Sequence, residues 1–171
     1  MKRLESERLI LRNFEPSDVD GAHTLFSDDE AMRYVGMYPP LATMEETRER
    51  VERWGRFDER LAIIKKDTGE CIGYIALNPD SEEEREDTRE LGFAISARHR
   101  RNGYMREAVQ TVLEDLKKQG IRFVWACCFK VNAASEAFIT NLGFAFQQEG
   151  SYDAENDRSY ESLEFRMMLQ S

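Results

Sequence analysis

Residues 89 to 129 restrict the possible folds more than any other stretch. "RELGFAIS" (89–96) has the make-up of a strand, and "IRFVWACCF" (121–129) is nearly all apolar, as expected of a strand buried on both faces. Between them, from Tyr104 to Gln119, apolar residues fall at 105, 108, 109, 112, 113 and 116, and Gly120 follows. That spacing predicts an amphipathic helix closed by its glycine. A helical crossover between two strands of one sheet places them parallel, so the chain is built around a β–α–β unit.

The flanks supply the rest of the layers. "RLILRNF" (8–14) alternates apolar and polar residues, as a strand does. A helix follows, with Ser17 as N-cap and Val19, Ala22, Leu25 and Phe26 on one face, until "MYPPLA" breaks it. Thr43 and Glu46 form a capping box for a second helix through about Trp54. "LAIIKKDTGECIGYIAL" (61–77) predicts two strands around the turn "KDTG", and "NPDSEEEREDT" is a loop by composition. "NAASEAFITNLGF" predicts a short helix capped by Asn132 and closed by Gly143 with Phe144 behind it. Two final strands, about 145–152 and 160–169, flank the polar turn "DAENDR". The expectation is one domain over 1–171, an α/β (α+β) mixed sheet of about seven strands flanked by about four helices.

Between the strand at 89–96 and the helix at 104 lies "SARHRRNGYMREAV". Its Arg98, Arg100, Arg101 and Arg106 surround Gly103 in a chain whose formal net charge is −9. Backbone N–H groups in the first turn of a helix lack internal partners, and the macrodipole adds partial positive charge there. A glycine lets the backbone approach a ligand closely, and arginines offer paired donors to phosphate oxygens. Together these features make a diphosphate cradle. Neither the GxxxxGK[ST] nor the GxGxxG pattern is present, which removes the best evidence for nucleotide triphosphate or nicotinamide binding. On residue types alone a second reading stands, in which the arginines are solvated or pair with "SEEERED".

The acidic balance does not suit a general nucleic-acid binder and does suit a cationic substrate such as an amine. No apolar run reaches the roughly 20 residues of a membrane helix, and the first residues carry no signal-peptide block, so a cytoplasmic protein is expected. Cys71, Cys127 and Cys128 have no CxxC spacing; the adjacent pair should face opposite sides of a strand, and all three are expected as buried small hydrophobes. His23 and His99 are isolated, and no metal site is expected.

The spacing Arg98-x-x-Arg101-x-Gly103 followed by "YMREA" resembles the coenzyme A pyrophosphate loop of the GNAT acetyltransferases. "LESERLILRNFEPSD", "DDEAMRYVG", "KDTGECIGYIAL", "ELGFAIS" and "VNAASEAFITNLGF" are similar, in order, to segments of the branch containing the Rim-type ribosomal-protein N-terminal acetyltransferases. The resemblance covers essentially the whole chain. One position departs: Arg101 stands where the pattern has its first glycine, and a positive φ there would strain it.

The resemblance implies acetyl-CoA as cofactor, with CoA as product, and direct transfer to a primary amine in a ternary complex. It implies backbone contacts to the pantetheine arm from Phe93, Ala94 and Ile95, along a strand that a bulge splays from its parallel neighbour. It implies cofactor contacts from Arg98, Arg100, Arg101, Asn102, Gly103, Tyr104, Met105, Arg106, Asn132 and Ser135. Glu90 matches the family's general base, against the plain reading of a charged residue at a strand start. Many members carry a tyrosine four residues before the glycine of Leu-Gly-Phe; that position is Ile139 here. The Rim-type branch offers instead Ser135 as donor to the leaving sulfur, against the plain reading of a local hydrogen bond in a helix's first turn. Tyr104 and Tyr152 also fit as packing residues.

Three functions remain open at this stage: an N-acetyltransferase acting on a peptide N-terminus or small amine, a catalytically silent CoA-binding or regulatory module of the same fold, and a ribosome- or RNA-binding protein. Monomer and homodimer are both compatible with the sequence.

Overall fold

The computed structural model of the protein describes residues 2–37, 39–81, 83–153 and 158–169. The strands are β1 (Arg3–Glu5), β2 (Leu9–Asn13), β3 (Arg60–Lys65), β4 (Cys71–Pro79), β5 (Thr88–Ile95), β6 (Phe123–Phe129), β7 (Ala145–Asp153) and β8 (Ser159–Met168). The α-helices are α1 (Val19–Phe26), α2 (Asp29–Tyr34), α3 (Met44–Trp54), α4 (Tyr104–Lys118) and α5 (Ala133–Asn141). Among the described residues the eight strands form one mixed sheet in the order β1-β2-β3-β4-β5-β6-β8-β7. The β5–β6 pair is parallel, as the helical crossover requires, and the other pairs are antiparallel.

Eight strands and five helices replace the expected seven and four, for two local reasons. A three-residue strand, β1, doubles back on β2 through a turn in which the Ser6 N–H donates to the Leu9 carbonyl. The first helix is also two: the Ser27 hydroxyl donates back to the His23 carbonyl, and Asp28 caps a new start by accepting from the Ala31 N–H at 2.7 Å. Ser17 is not the N-cap; it lies inside a 3₁₀ turn, Pro16–Asp18, that feeds α1. The buried Asp18 organises that turn, accepting from the Glu15 N–H and from two Arg12 N–H groups at 2.7 and 2.9 Å.

Other elements form for the reasons their sequences suggest. Thr43 and Glu46 exchange side-chain and backbone hydrogen bonds in a capping box. The N–H of Phe144 donates to the Ile139 carbonyl and that of Gly143 to the Thr140 carbonyl, the two bonds of a Schellman ending, with Gly143 at φ +100°. The turn "DAENDR" falls largely outside the described residues.

Each face of the sheet has its own core. Leu9, Leu11, Ile75, Leu91, Ala126, Leu163 and their neighbours pack under α4 and α5. Phe14, Phe26, Val51, Tyr74, Ala76 and Ala94 pack under α1, α2 and α3. Burying side chains such as Val112 and Leu116 of α4 stabilises the fold by about 1.5–3 kcal/mol each. The expectation that 121–129 is buried on both faces holds only in part: Val124, Ala126 and Cys128 are buried, but Trp125 is half-buried and Cys127 exposed. Both of these side chains point to the same face, and Cys127 lies beyond the last β5–β6 pair.

Candidate active site

The β5–β6 ladder runs from Thr88 opposite Phe123 to Leu91 opposite Ala126. Both strands continue, β5 to Ile95 and β6 to Phe129, without a further shared ladder among the described residues. On its other side β5 stays in unbroken register with β4 through Ile95. The expected splay is therefore present, but no bulge in the β4–β5 ladder accompanies it. The backbone of Gly92, Phe93, Ala94 and Ile95 faces a slot that opens through the sheet, within a cavity of about 1040 Å³.

Alternation along β5 divides the slot between the two faces. Leu91, Phe93 and Ile95 lean toward the α4/α5 side, where Phe93 meets Phe138 at 5.2 Å between ring centroids. Glu90 and Ala94 belong to the other side, with Trp125 and Cys127 of β6.

On the α4/α5 side the arginine loop closes the cavity. Gly103 has φ +79° and Arg101 φ +63°, so the strain anticipated at Arg101 is real. Arg100, Arg101, Gly103, Tyr104, Met105 and Arg106 line the cavity. Arg98 and Asn102 are not brought to its wall: Arg98 pairs with Glu70, and the Asn102 amide donates to the carbonyls of His99 and Arg100 within the loop. The pairing with "SEEERED" considered above is thus replaced, for Arg98, by a partner in the β3–β4 turn.

The loop has a brace that its own sequence does not reveal. Arg8, beside β2, donates from Nε to Glu107 Oε2 at 2.7 Å and from Nη1 to the Asn102 carbonyl at 2.9 Å. Its guanidinium lies 4.4 Å from the centroid of Tyr104. The Ser6 hydroxyl and Arg8 N–H complete the carboxylate of Glu107, each at 2.7 Å. Burial pushes the Glu107 carboxyl up, but these donors and the Arg8 charge outweigh it and hold it below the usual carboxylate range.

Also lining this side are Asn132 and Ser135. Asn132 caps α5 by accepting from the Ser135 N–H at 3.2 Å. Burial pushes the neighbouring Cys128 thiol up to about 11, Glu136 adds to that, and a Ser135 hydroxyl hydrogen bond pulls partly back. The position of the family's frequent tyrosine is the fully buried Ile139.

The α1–α3 side is acidic and aromatic. Glu30, Glu83, Glu90 and Glu164 contribute carboxylates to the wall, and Trp54, Tyr74 and Tyr152 contribute rings. Tyr152 packs 5.7 Å from Phe129 and against Gly36, where a Cβ would come within 2.7 Å of the ring. Burial pushes the Tyr74 hydroxyl up to about 12, which keeps it protonated, and it lies 3.5 Å from Met37 Sδ. Glu90 is held by Ser81, which donates to Oε1 from its N–H at 2.8 Å and from its hydroxyl.

The residues present fit an acyl-CoA: a slot of bare strand backbone for an extended arm, a helix start with Gly103 and three arginines for a diphosphate, and a passage to the opposite face for an acceptor. The family model for the acetyltransferase (GNAT) domain matches residues 8–145. The chain belongs to the GNAT acetyltransferases. The uncharacterised N-acetyltransferase YoaA of Bacillus subtilis is 29% identical over 93% of this chain and 92% of its own. Among solved structures, an acetyltransferase of the GNAT family from Bacillus anthracis superposes with TM-score 0.85 at 22% identity, over 99% of this chain and 100% of its own. The ribosomal L7/L12 α-N-protein acetyltransferase RimL, solved with coenzyme A, superposes with TM-score 0.76 at 19% identity, over 98% of each chain. The chain is an acyltransferase with the GNAT fold, and Rim-type proteins are among its structural neighbours.

Three site features escape a reading of the sequence: the Arg8 brace, the Ser81 contact to Glu90, and exposed Cys127 where a buried thiol is expected. The first two join residues from separate elements; for the third, splaying of β6 was the available signal. No helix among the described residues is long and apolar enough to cross a membrane, and no cluster there has the make-up of a metal site.

Proposed function

We propose that the chain is a single-domain, cytoplasmic, acetyl-CoA-dependent N-acetyltransferase that transfers acetyl directly to a primary amine in a ternary complex. The observation that carries this reading is a slot open to two chemically opposite faces. One is lined by Arg100, Arg101 and Arg106, the other by Glu30, Glu83, Glu90 and Glu164, which outnumber its Arg60. Bound acetyl-CoA supplies an activated acetyl group; the chain's own residues hold, orient and move protons.

Arg100, Arg101 and Arg106, with the N–H groups of the α4 start, neutralise the diphosphate. Arg98 is paired with Glu70 and stands outside the wall, and Asn102 sets the loop's shape. Phe93, Ala94 and Ile95 present backbone groups to the pantetheine arm. Glu90 takes the proton of the incoming ammonium. Ser135 donates its hydroxyl hydrogen to the departing sulfur, and Asn132 fixes the helix turn that carries it. An α-amine, with an ordinary pKa near 7.7–8.0, makes a lighter demand on such a base than a lysine amine near 10.4. RimL's acceptor is a protein N-terminus, and we extend peptide α-amines to this chain as one acceptor class beside small amines. No nucleic acid or membrane is a partner in this reading, and the chain acts as a monomer or homodimer.

The experiment is a screen of α-amino peptides and small amines against acetyl-CoA, read by released thiol and by mass of the acetylated amine. Thiol appearing in step with acetylated amine is the expected result. Binding of acetyl-CoA with no turnover on any amine would instead support the silent module, a reading that Ile139 at the usual tyrosine position favours.

A further inference from the structure

Ser81 does something that no feature of the loop "NPDSEEEREDT" announces. β4 and β5 are paired up to Asn78 opposite Glu90 and Pro79 opposite Arg89, so the chain leaves the sheet directly beside Glu90. The buried Asp80 then accepts from the Glu83 N–H at 3.2 Å, which turns the backbone at once. The turn sets both Ser81 donors, N–H and O–H, on one oxygen of Glu90, Oε1. Among the described residues Oε2 takes no comparable donor, and the carboxylate faces the cavity.

We propose that Ser81 is the positioning residue of the general base: by occupying Glu90 Oε1 twice, it fixes the carboxylate plane and presents Oε2 to the acceptor. This rests on the reading of Glu90 as base given above. A carboxylate whose side chain rotates freely spends little time aligned with the ammonium, and alignment of the proton acceptor is a large part of what general-base catalysis needs. The proton count closes. Glu90 Oε2 takes one proton from the ammonium, and the nitrogen lone pair so freed forms the N–C bond to the acetyl carbon. The C–S bond breaks with its electron pair on sulfur, the Ser135 hydroxyl gives the sulfur its hydrogen and is itself reprotonated by the second proton lost from nitrogen, and Glu90 returns its proton to water.

The test compares wild type, Ser81→Ala, Ser81→Thr and Glu90→Gln on two acceptors: an alkylamine that is cationic at neutral pH, and a weakly basic aromatic amine that is already neutral. With the alkylamine, Ser81→Ala should lower kcat about tenfold, the effect of one hydrogen bond to a charged group, with KM for acetyl-CoA unchanged and Ser81→Thr restoring the rate. With the neutral amine the difference should shrink to less than about twofold, because no proton has to be removed before attack. Equal slowing on both acceptors would make Ser81 merely structural and overturn the proposal, as would a wild-type rate in Ser81→Ala or in Glu90→Gln. Those failures leave the acetyltransferase itself intact. A wild type inactive on every amine would take down the broader reading and this one together.

Discussion

At Arg101 a side chain other than glycine sits at φ +63°, and two residues on Gly103 sits at +79° with Arg8 Nη2 3.3 Å from where a Cβ would be. The same conformational preference gives substitutions at these two positions different consequences. Gly103→Ala places a Cβ in the left-handed region and should cost about 1 kcal/mol or more, seen as about 2–4 °C in Tm. Arg101→Gly relieves strain while adding unfolded-state freedom, so Tm should move by less than about 2 °C. Its affinity for acetyl-CoA should nevertheless fall about tenfold by calorimetry, one charge-assisted contact; an unchanged affinity would remove Arg101 from the cradle. The cysteines separate in the same way. Burial pushes Cys71 up to about 12 and Cys128 to about 11, so both are neutral, shielded thiols, whereas Cys127 is exposed beside the slot. Iodoacetamide at pH 8 should label Cys127 first, and acetyl-CoA should slow that labelling; preferential labelling of Cys128 would contradict the placement of β6.

At the scale of elements, the arginine loop is held from outside by the turn between β1 and β2. Glu107 of α4 accepts from Ser6 and from Arg8, and its carboxyl lies below its ordinary value of 4.5. A lowered folded-state value means stability that is fully present above about pH 4.5 and is lost as pH falls through the lower folded value. Glu107→Gln should therefore flatten the fall in Tm between pH 5 and pH 3 relative to wild type; a parallel fall would separate Glu107 from acid lability. Arg8→Ala should weaken acetyl-CoA binding about tenfold although Arg8 lies outside the cavity wall. How well each element could be read from sequence follows from how local its cause is. The periodicity of α4, the Thr43–Glu46 box and the Asn132 and Gly143 signals for α5 are set by neighbours within one turn, and they appear as expected. β1 and the break at Ser27 and Asp28 were missed because a three-residue edge strand has no period to show and the capping residues sit inside an otherwise continuous helical pattern. The exposure of Cys127 was missed because an apolar run states composition, not whether its neighbour strand stays alongside.

Across the whole molecule, a chain of net charge −9 places arginines of the loop on the α4 side of one passage and mostly carboxylates and aromatic rings, with Arg60, on the α1–α3 side. That polarity suits an anionic donor entering from one face and a cationic amine from the other. The fold class and the position of the arginine loop between β5 and α4 were legible because ordered motifs and one crossover determine them. The acidic and aromatic wall was not, because it is assembled from α2, α3, β4, β6 and the last hairpin. The central claim, that the passage between β5 and β6 is an acetyl-CoA site, is tested most directly by calorimetric titration of the protein with acetyl-CoA at low and then moderate salt. One acetyl-CoA bound per chain, with affinity that largely survives the added salt, is the predicted result. Absence of binding, or binding that disappears as salt is raised, would contradict it and leave the arginine loop in need of a different anion.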